Sequence, residues 1–316
     1  MTSVVLLAVA ATFVFATSTV LKHRSAETMA PATEGRGVRR AGSYVAAMVS
    51  NPWWLGGLLC DGGAIVLQVL ALNKGAISVV QPMLTLALVF SLVLNALLLR
   101  QRPSGREIGL ALALVAGLVL FLWASGAVGP HGAAAKGAKI PAIAVGVVAT
   151  VLVAGCVAVA RRVGPRRKAA LLGTAVAAVF ACTAALIKTC THIVERGIPD
   201  LMMSWQLWTL LVVGGLGLVL NQMAFQAGPL VSSLPVIASL DPLFSLAIGR
   251  AVYDERLHSA PKDLLLEGIG LAILLCSVFA LSVISARHQQ DEQDQAALAE
   301  NARTARQGGA TSATQA

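Results

Sequence analysis

The chain has 316 residues, 57% of them hydrophobic and only 12% charged, with a formal net charge of +9 and a mean hydropathy of +0.77. Soluble proteins carry about 25% charged residues, so this composition excludes a soluble globular protein and predicts an all-α, polytopic membrane protein. Long continuous apolar runs exclude a β-barrel, whose strands would alternate. The basic residues fall in short clusters between those runs, which assigns the positive charge to membrane orientation and not to nucleic acid.

A spanning helix needs roughly 20 mostly apolar residues, and nine runs meet that need. They are predicted at about 2–21, 53–72, 77–99, 108–127, 140–160, 169–192, 203–224, 230–252 and 264–284, within a transmembrane unit of residues 1–286. The first run has no basic residue before it and is followed by Lys22-His23-Arg24, the flank of an uncleaved helix with its N-terminus outside the cell membrane. The loop carrying Arg36, Arg39 and Arg40, the stretch Arg100–Arg106 and the cluster Arg161–Lys168 then lie in the cytoplasm. Pro52-Trp53-Trp54 opens the second helix, where proline suits a first turn and indoles suit the membrane interface. Arg250, Arg256 and Lys262 run against the trend, on the predicted outer side. Residues 287–316 are polar and rich in Gln, Ala and Thr, which predicts a largely disordered cytoplasmic tail.

The second helix and the turn after it are written twice. Val66–Pro82 (VLQVLALNKGAISVVQP) and Val219–Pro235 (VLNQMAFQAGPLVSSLP) share Val-Leu, an amide (Gln68 or Asn221), Ala, a second amide (Asn73 or Gln226), a glycine (Gly75 or Gly228) and a proline at the same spacing. Ala16–Lys22 echoes Cys182–Lys188 in the same order. Helices one and six are five spans apart, an odd number, so the two halves are expected to lie inverted in the membrane, as in many secondary transporters.

No P-loop, nucleophile elbow, HExxH or CxxC occurs, so neither an enzyme nor a cofactor is expected. The five cysteines are scattered through apolar runs and read as small packing residues. The informative residues are carboxylates inside spans. Asp61 lies roughly 12 Å beyond Trp53 and Asp241 roughly 16 Å beyond Leu230 at about 1.5 Å per residue. Both therefore fall near the middle of the hydrocarbon, where an aspartate costs about 2.5–3.5 kcal/mol even on the lenient scale, and both should face the protein interior. Pro242 and Pro235 free the Ala238 and Val231 carbonyls, and Pro82 stands early in the third helix as Pro235 does in the eighth. Carboxylate plus carbonyl oxygen is a ligand set for a hard cation or a protonated amine, which makes Asp241 and Asp61 candidate metal or substrate ligands. The alternative is that each merely accepts a hydrogen bond from a neighbouring helix. The amides Gln68, Asn221, Asn73 and Gln226 read as interhelical hydrogen bonders or as substrate contacts, with Asn95 an unpaired relative. Lys22 and Lys188 are expected to snorkel to opposite interfaces, and His192 and Glu195 to be solvated.

The lysines ending VLK and LIK, the segments ALNKGAISVVQP and AFQAGPLVSSLP, and the acidic turn YDERL after helix eight together resemble the drug/metabolite transporter superfamily. Within it the chain looks most similar to NIPA-type magnesium transporters and relatives with EamA-like repeats. It departs from that pattern at His23, at Lys74 and in the basic Arg100-Gln101-Arg102-Pro103. The resemblance covers about residues 4–284. It implies two inverted repeats around a central site, and a transporter or facilitator moving a small cationic solute, magnesium foremost, by alternating access. A proton-coupled exporter of an organic metabolite or amine is the alternative, and a non-transporting scaffold or sensor is the alternative of another class. The expected partners are the lipid bilayer and the solute, with a homodimer left open.

Overall fold

The computed structural model describes residues 2–28, 51–98, 103–125, 139–228, 230–255 and 261–313. The loop arginines Arg36, Arg39 and Arg40, the Arg100–Arg102 stretch and Arg256 lie outside the described residues. All regular structure among the described residues is helical: α1 (Thr2–Thr28), α2 (Pro52–Lys74), α3 (Ile77–Leu84), α4 (Ala87–Leu98), α5 (Gly105–Ala124), α6 (Lys139–Ala160), α7 (Pro165–Val194), α8 (Ile198–Met203), α9 (Trp205–Gln226), α10 (Leu230–Tyr253) and α11 (Pro261–Ala313). Among the described residues nine spans are long and apolar enough to cross a membrane, with α3 and α4 together forming one of them. This is a multi-pass membrane protein. Its outward faces carry exposed Leu, Val, Ile and Trp, such as Leu59, Val119, Ile143 and Trp205, which suit lipid and not water.

The helix starts follow local chemistry. Asn51 caps α2 by accepting from the Trp53 and Trp54 N–H groups, just ahead of Pro52 at the first position, where its missing N–H costs nothing. Ser104 and Glu107 close a reciprocal capping box on α5. Contacts between helix ends sort into two sets, one for each end of the bundle. Arg24 lies over the Trp53 ring, Gly228 faces Pro165 and His288 faces Glu107 at one end. Gly75 faces Val4 and Glu255 meets Lys188 and Ile77 at the other. Alternate threading of nine spans produces this sorting.

The main core gathers around α3, whose Ile77, Val80 and Met83 are buried among residues of α1, α2, α5, α7, α10 and α11. A second cluster joins α6, α7 and α9 through Leu172, Val176 and Leu220. The 30-residue α7 is the central column, packing on α2, α6, α9 and α10. Its alanine-rich first half is buried on nearly every side, as a helix apolar all round should be.

Two expectations are corrected. The third span does not run unbroken over 77–99, because α3 stops at Leu84 and α4 begins at Ala87. Thr85 directs both its hydroxyl (2.6 Å) and its N–H (3.2 Å) to the Pro82 carbonyl, and Leu86 N–H takes Met83 O at 3.1 Å, so the chain tightens into i→i−3 bonding one turn after the proline. In α10 the residue three beyond Pro242 is Ser245, whose hydroxyl turns to Asp241 instead, and the helix passes through both of its prolines. The second correction concerns residues 287–316. The helix of the ninth span continues without interruption to Ala313, making a 53-residue element. The stretch after Arg287 is polar, but its Ala, Glu, Gln and Arg are good helix formers, with no proline, and no glycine before Gly308. Extending a helix already formed in the bundle needs no new nucleus.

Small residues set the closest approaches. A Cβ on Gly270 would stand 2.5 Å from Phe121 N, and one on Gly117 2.7 Å from Leu274 N, so α5 and α11 cross backbone to backbone. Gly117→Val or Gly270→Val is therefore expected to destabilise the protein by about 1–3 kcal/mol through overpacking, measured as a lower thermal midpoint in detergent. Gly214→Ala, with open space at the new carbon, should leave the midpoint unchanged.

Candidate functional site

Charged groups inside spans are the natural starting point, since each must find partners within the protein. Asp61, half-buried on α2, accepts a hydrogen bond from the Ser18 hydroxyl of α1; Ser18 also reaches the Gly57 carbonyl at 2.8 Å. The glycines beside Asp61 do not force the helices together, since a Cβ on Gly63 would meet only Val14 at an ordinary 3.9 Å and one on Gly62 nothing within 4 Å. Asp61 is thus tied into an interhelical contact.

Asp241 is placed differently. It lies midway along α10, half-buried, and among the described residues its carboxylate has one partner, the Ser245 hydroxyl at 3.5 Å, the outer limit of a hydrogen bond. Pro242, buried beside it, has no N–H for the Ala238 carbonyl, and Pro235 none for Val231. A helical carboxylate with a slack hydrogen bond and one proline-freed carbonyl, that of Ala238, about a turn before it can accept a cation or a proton.

The two aspartates are not brought together. α2 packs on α1 and α7, whereas α10 packs on α7, α11, α3 and α6. Among the described residues no three His, Cys, Asp or Glu side chains assemble as a metal group, and all five cysteines are free thiols. The repeated amides are dispersed too. Gln226 is exposed, Gln68 and Asn221 are half-buried, and the Asn73 and Asn95 side-chain oxygens are buried without a hydrogen-bond partner among the described residues. The two hairpin glycines do occupy corresponding places. A Cβ on Gly75 would strike Val4 at the start of α1, and one on Gly228 would stand 2.6 Å from Pro165 O at the start of α7.

The densest polar arrangement involves residues that the sequence assigned elsewhere. Lys188 does not snorkel to the interface. It is 1% exposed, and its Nζ donates to Glu255 Oε1 at 2.8 Å while lying 4.7 Å from the centre of the Tyr253 ring. Glu255 Oε1 also accepts from Ile77 N–H at 2.8 Å and Oε2 from Ser78 N–H at 3.0 Å, so one carboxylate caps the positive end of α3. Asp254, in the left-handed region at φ 49°, turns the chain after α10, and Glu255 N–H closes on Gly249 O at 3.2 Å. A Cβ on Gly249 would collide with the Glu255 carboxylate. Tyr253 completes the cradle by donating to Ala185 O at 2.6 Å and sharing a 2.8 Å hydrogen bond with Thr189. One turn past Lys188, His192 is also not solvated, being 13% exposed with a buried Nε2 that has no partner among the described residues; Glu195 is exposed as expected. The segment YDERL was visible in the sequence, but nothing in it marks a partner 67 residues away on α7.

Burial by itself would raise the Glu255 carboxyl, yet the Lys188 charge and the hydrogen bonds from Lys188 and Ser78 hold it below the usual carboxylate range. A lowered folded value adds stability that is present above the unfolded pKa of about 4.3 and lost as pH falls through the folded one. Thermal midpoints in detergent should therefore drop below about pH 4. Glu255→Gln should lower the midpoint at neutral pH and weaken that acid-dependent part, and an unchanged acid profile in this variant would contradict the assignment.

No family model and no solved structure matches the chain. It is 31% identical over 281 residues to the uncharacterized protein Cgl0250/cg0304 of Corynebacterium glutamicum, a match spanning 88% of this chain and 94% of the relative. The chain belongs to the same protein family as that corynebacterial protein.

Proposed function

We propose that the protein is a secondary transporter or facilitator that moves a small cationic solute across the cell membrane by alternating access, with Asp241 at the centre of its site. The observation that carries this reading is the carboxylate of Asp241, held inside a span between two helix prolines with a single 3.5 Å partner among the described residues. A side chain present only for packing would be expected in a tighter bond, as Asp61 is with Ser18. The matching seats of Gly75 and Gly228 support two related halves, the organisation on which rocking around a central site depends. The resemblance to NIPA-type and EamA-like chains supports magnesium as the first solute to test. Mg²⁺ keeps several of its waters and uses one or two carboxylates, a demand that Asp241 with the Ala238 carbonyl and water can meet. Proton-coupled export of an organic amine is the second reading, supported by the same slack hydrogen bond among the described residues, which leaves the carboxylate able to take up a proton.

Purified protein in proteoliposomes separates the two readings: Mg²⁺ flux insensitive to organic amines supports the first, and amine-dependent proton exchange without divalent flux the second. Under either, Asp241→Asn should cut flux at least tenfold at normal expression. Asp61→Asn should chiefly weaken the α1–α2 contact, by about 0.6–2 kcal/mol. Normal flux through Asp241→Asn would remove this carboxylate from the site.

The proposed orientation places the Arg161–Lys168 cluster, exposed between α6 and α7, in the cytoplasm. A reporter fused after Ala316 should then be cytoplasmic and a tag ahead of Met1 external. Both on one side would sink the nine-span threading.

A further inference from the structure

We infer that the cradle around Glu255 is a one-sided gate: a latch that closes one end of the bundle and opens when the carboxylate withdraws. The inference rests on the alternating-access reading above. Three properties separate this cluster from an ordinary structural ion pair.

First, three bonds from two elements converge on one side chain of a third. Lys188 comes from α7, the Ile77 and Ser78 N–H groups from α3, and Glu255 itself from the end of α10. Withdrawing this one carboxylate unties all three at once. Apolar seams cannot do this, because their energy is spread over many weak contacts. Second, the carboxylate sits at a point built for movement. It follows the turn at Asp254 and is seated in the space left by Gly249, so it can swing toward water at the helix end without dragging α10 through the core. The Lys188 ammonium, by contrast, is fully enclosed. It stays behind over the Tyr253 ring, ready to receive the carboxylate again.

Third, the first half of the sequence does not repeat this pair of charges. In the register of the internal repeat Lys188 corresponds to Lys22, but Glu255 corresponds to Arg102. Where the second half has a cation and a carboxylate, the first has two cations at the matching sequence positions. A device present in one half of a duplicated chain is what gives two otherwise similar faces different opening energies.

The test uses thiol accessibility in membrane vesicles, with no need for a transported solute. Cys60, Cys156, Cys182 and Cys276 are replaced by alanine, leaving Cys190, which is buried two residues past Lys188 on α7. A second version, also lacking Cys190, carries Ala227→Cys, half-buried at the opposite end. A membrane-impermeant maleimide is applied from each side. Glu255→Gln is expected to raise the labelling rate at Cys190 at least tenfold and to lower the rate at Ala227→Cys several-fold. Glu255→Asp, which keeps the charge but shortens its reach, should fall between and serves if Glu255→Gln does not fold. No change at Cys190 overturns the gate. A rise at Cys190 without a fall at Ala227→Cys also overturns it, showing a static tie whose loss only frays one end. Neither outcome touches the transport reading, which the flux assay decides. Reciprocal labelling in a protein without flux would leave the gate standing and remove the transport reading alone.

Discussion

A lysine that is 1% exposed in the interior of a helical bundle is a demand that the surrounding structure must meet. Removing an ammonium from water costs several kcal/mol unless an opposing charge and further hydrogen bonds compensate it. Much of the local architecture follows from meeting that demand. The left-handed turn at Asp254 brings Glu255 back over the end of α10, Gly249 leaves room for the carboxylate, and the start of α3 supplies two amides for its remaining lone pairs. The aromatic face of Tyr253 covers the other side of the cation and is itself fixed by Ala185 and Thr189. Helices from both halves of the sequence meet at this carboxylate, so the relative placement of α3, α7 and α10 depends on it.

The aspartates show how environment separates chemically identical side chains. Asp61 has a serine hydroxyl on the adjacent helix and acts as a fastener between α1 and α2. Asp241 has, among the described residues, only a distant hydroxyl on its own helix and a backbone loosened by Pro242. Nothing in their immediate sequences, LLCDGGAIV and IASLDPLFS, announces that difference in hydrogen bonding. It arises from which helix happens to face each of them.

Much of the fold was legible in the sequence because membrane spans are encoded locally. Length and hydropathy placed the nine spans to within a few residues, and the two hairpin glycines marked positions where chains do approach closely. What was not legible is non-local. The partner of Glu255 lies 67 residues away, and no periodicity links the two. The break after Pro82 needed Thr85 as well as the proline, whereas Pro235 and Pro242 left α10 continuous. Polar composition after Arg287 suggested disorder because it ignores helix propensity and the helix already formed upstream. The amides Gln68, Asn73, Asn221 and Gln226 stand in matching register, yet burial differs among them, since register fixes depth along a helix and not which neighbour a side chain meets.

The crossing of Gly117 on Gly270 carries a mechanical consequence. With backbone atoms this close and only Ile273 reaching the crossing from a side chain, sliding α5 along α11 would drive the flanking side chains, Phe121 and Ile273, into the opposite backbone. The two helices therefore behave as a single stiff strut. Any rocking of the bundle must be taken up elsewhere, and among the described residues the stretch between Leu84 and Ala87, where i→i−3 bonds replace the α-helical ladder, is a joint placed to bend. That joint lies one helical segment away from the amides that hold Glu255, so bending there would pull directly on the start of α3. The geometry thus pairs a rigid beam with a hinge whose short arm ends at a buried charge.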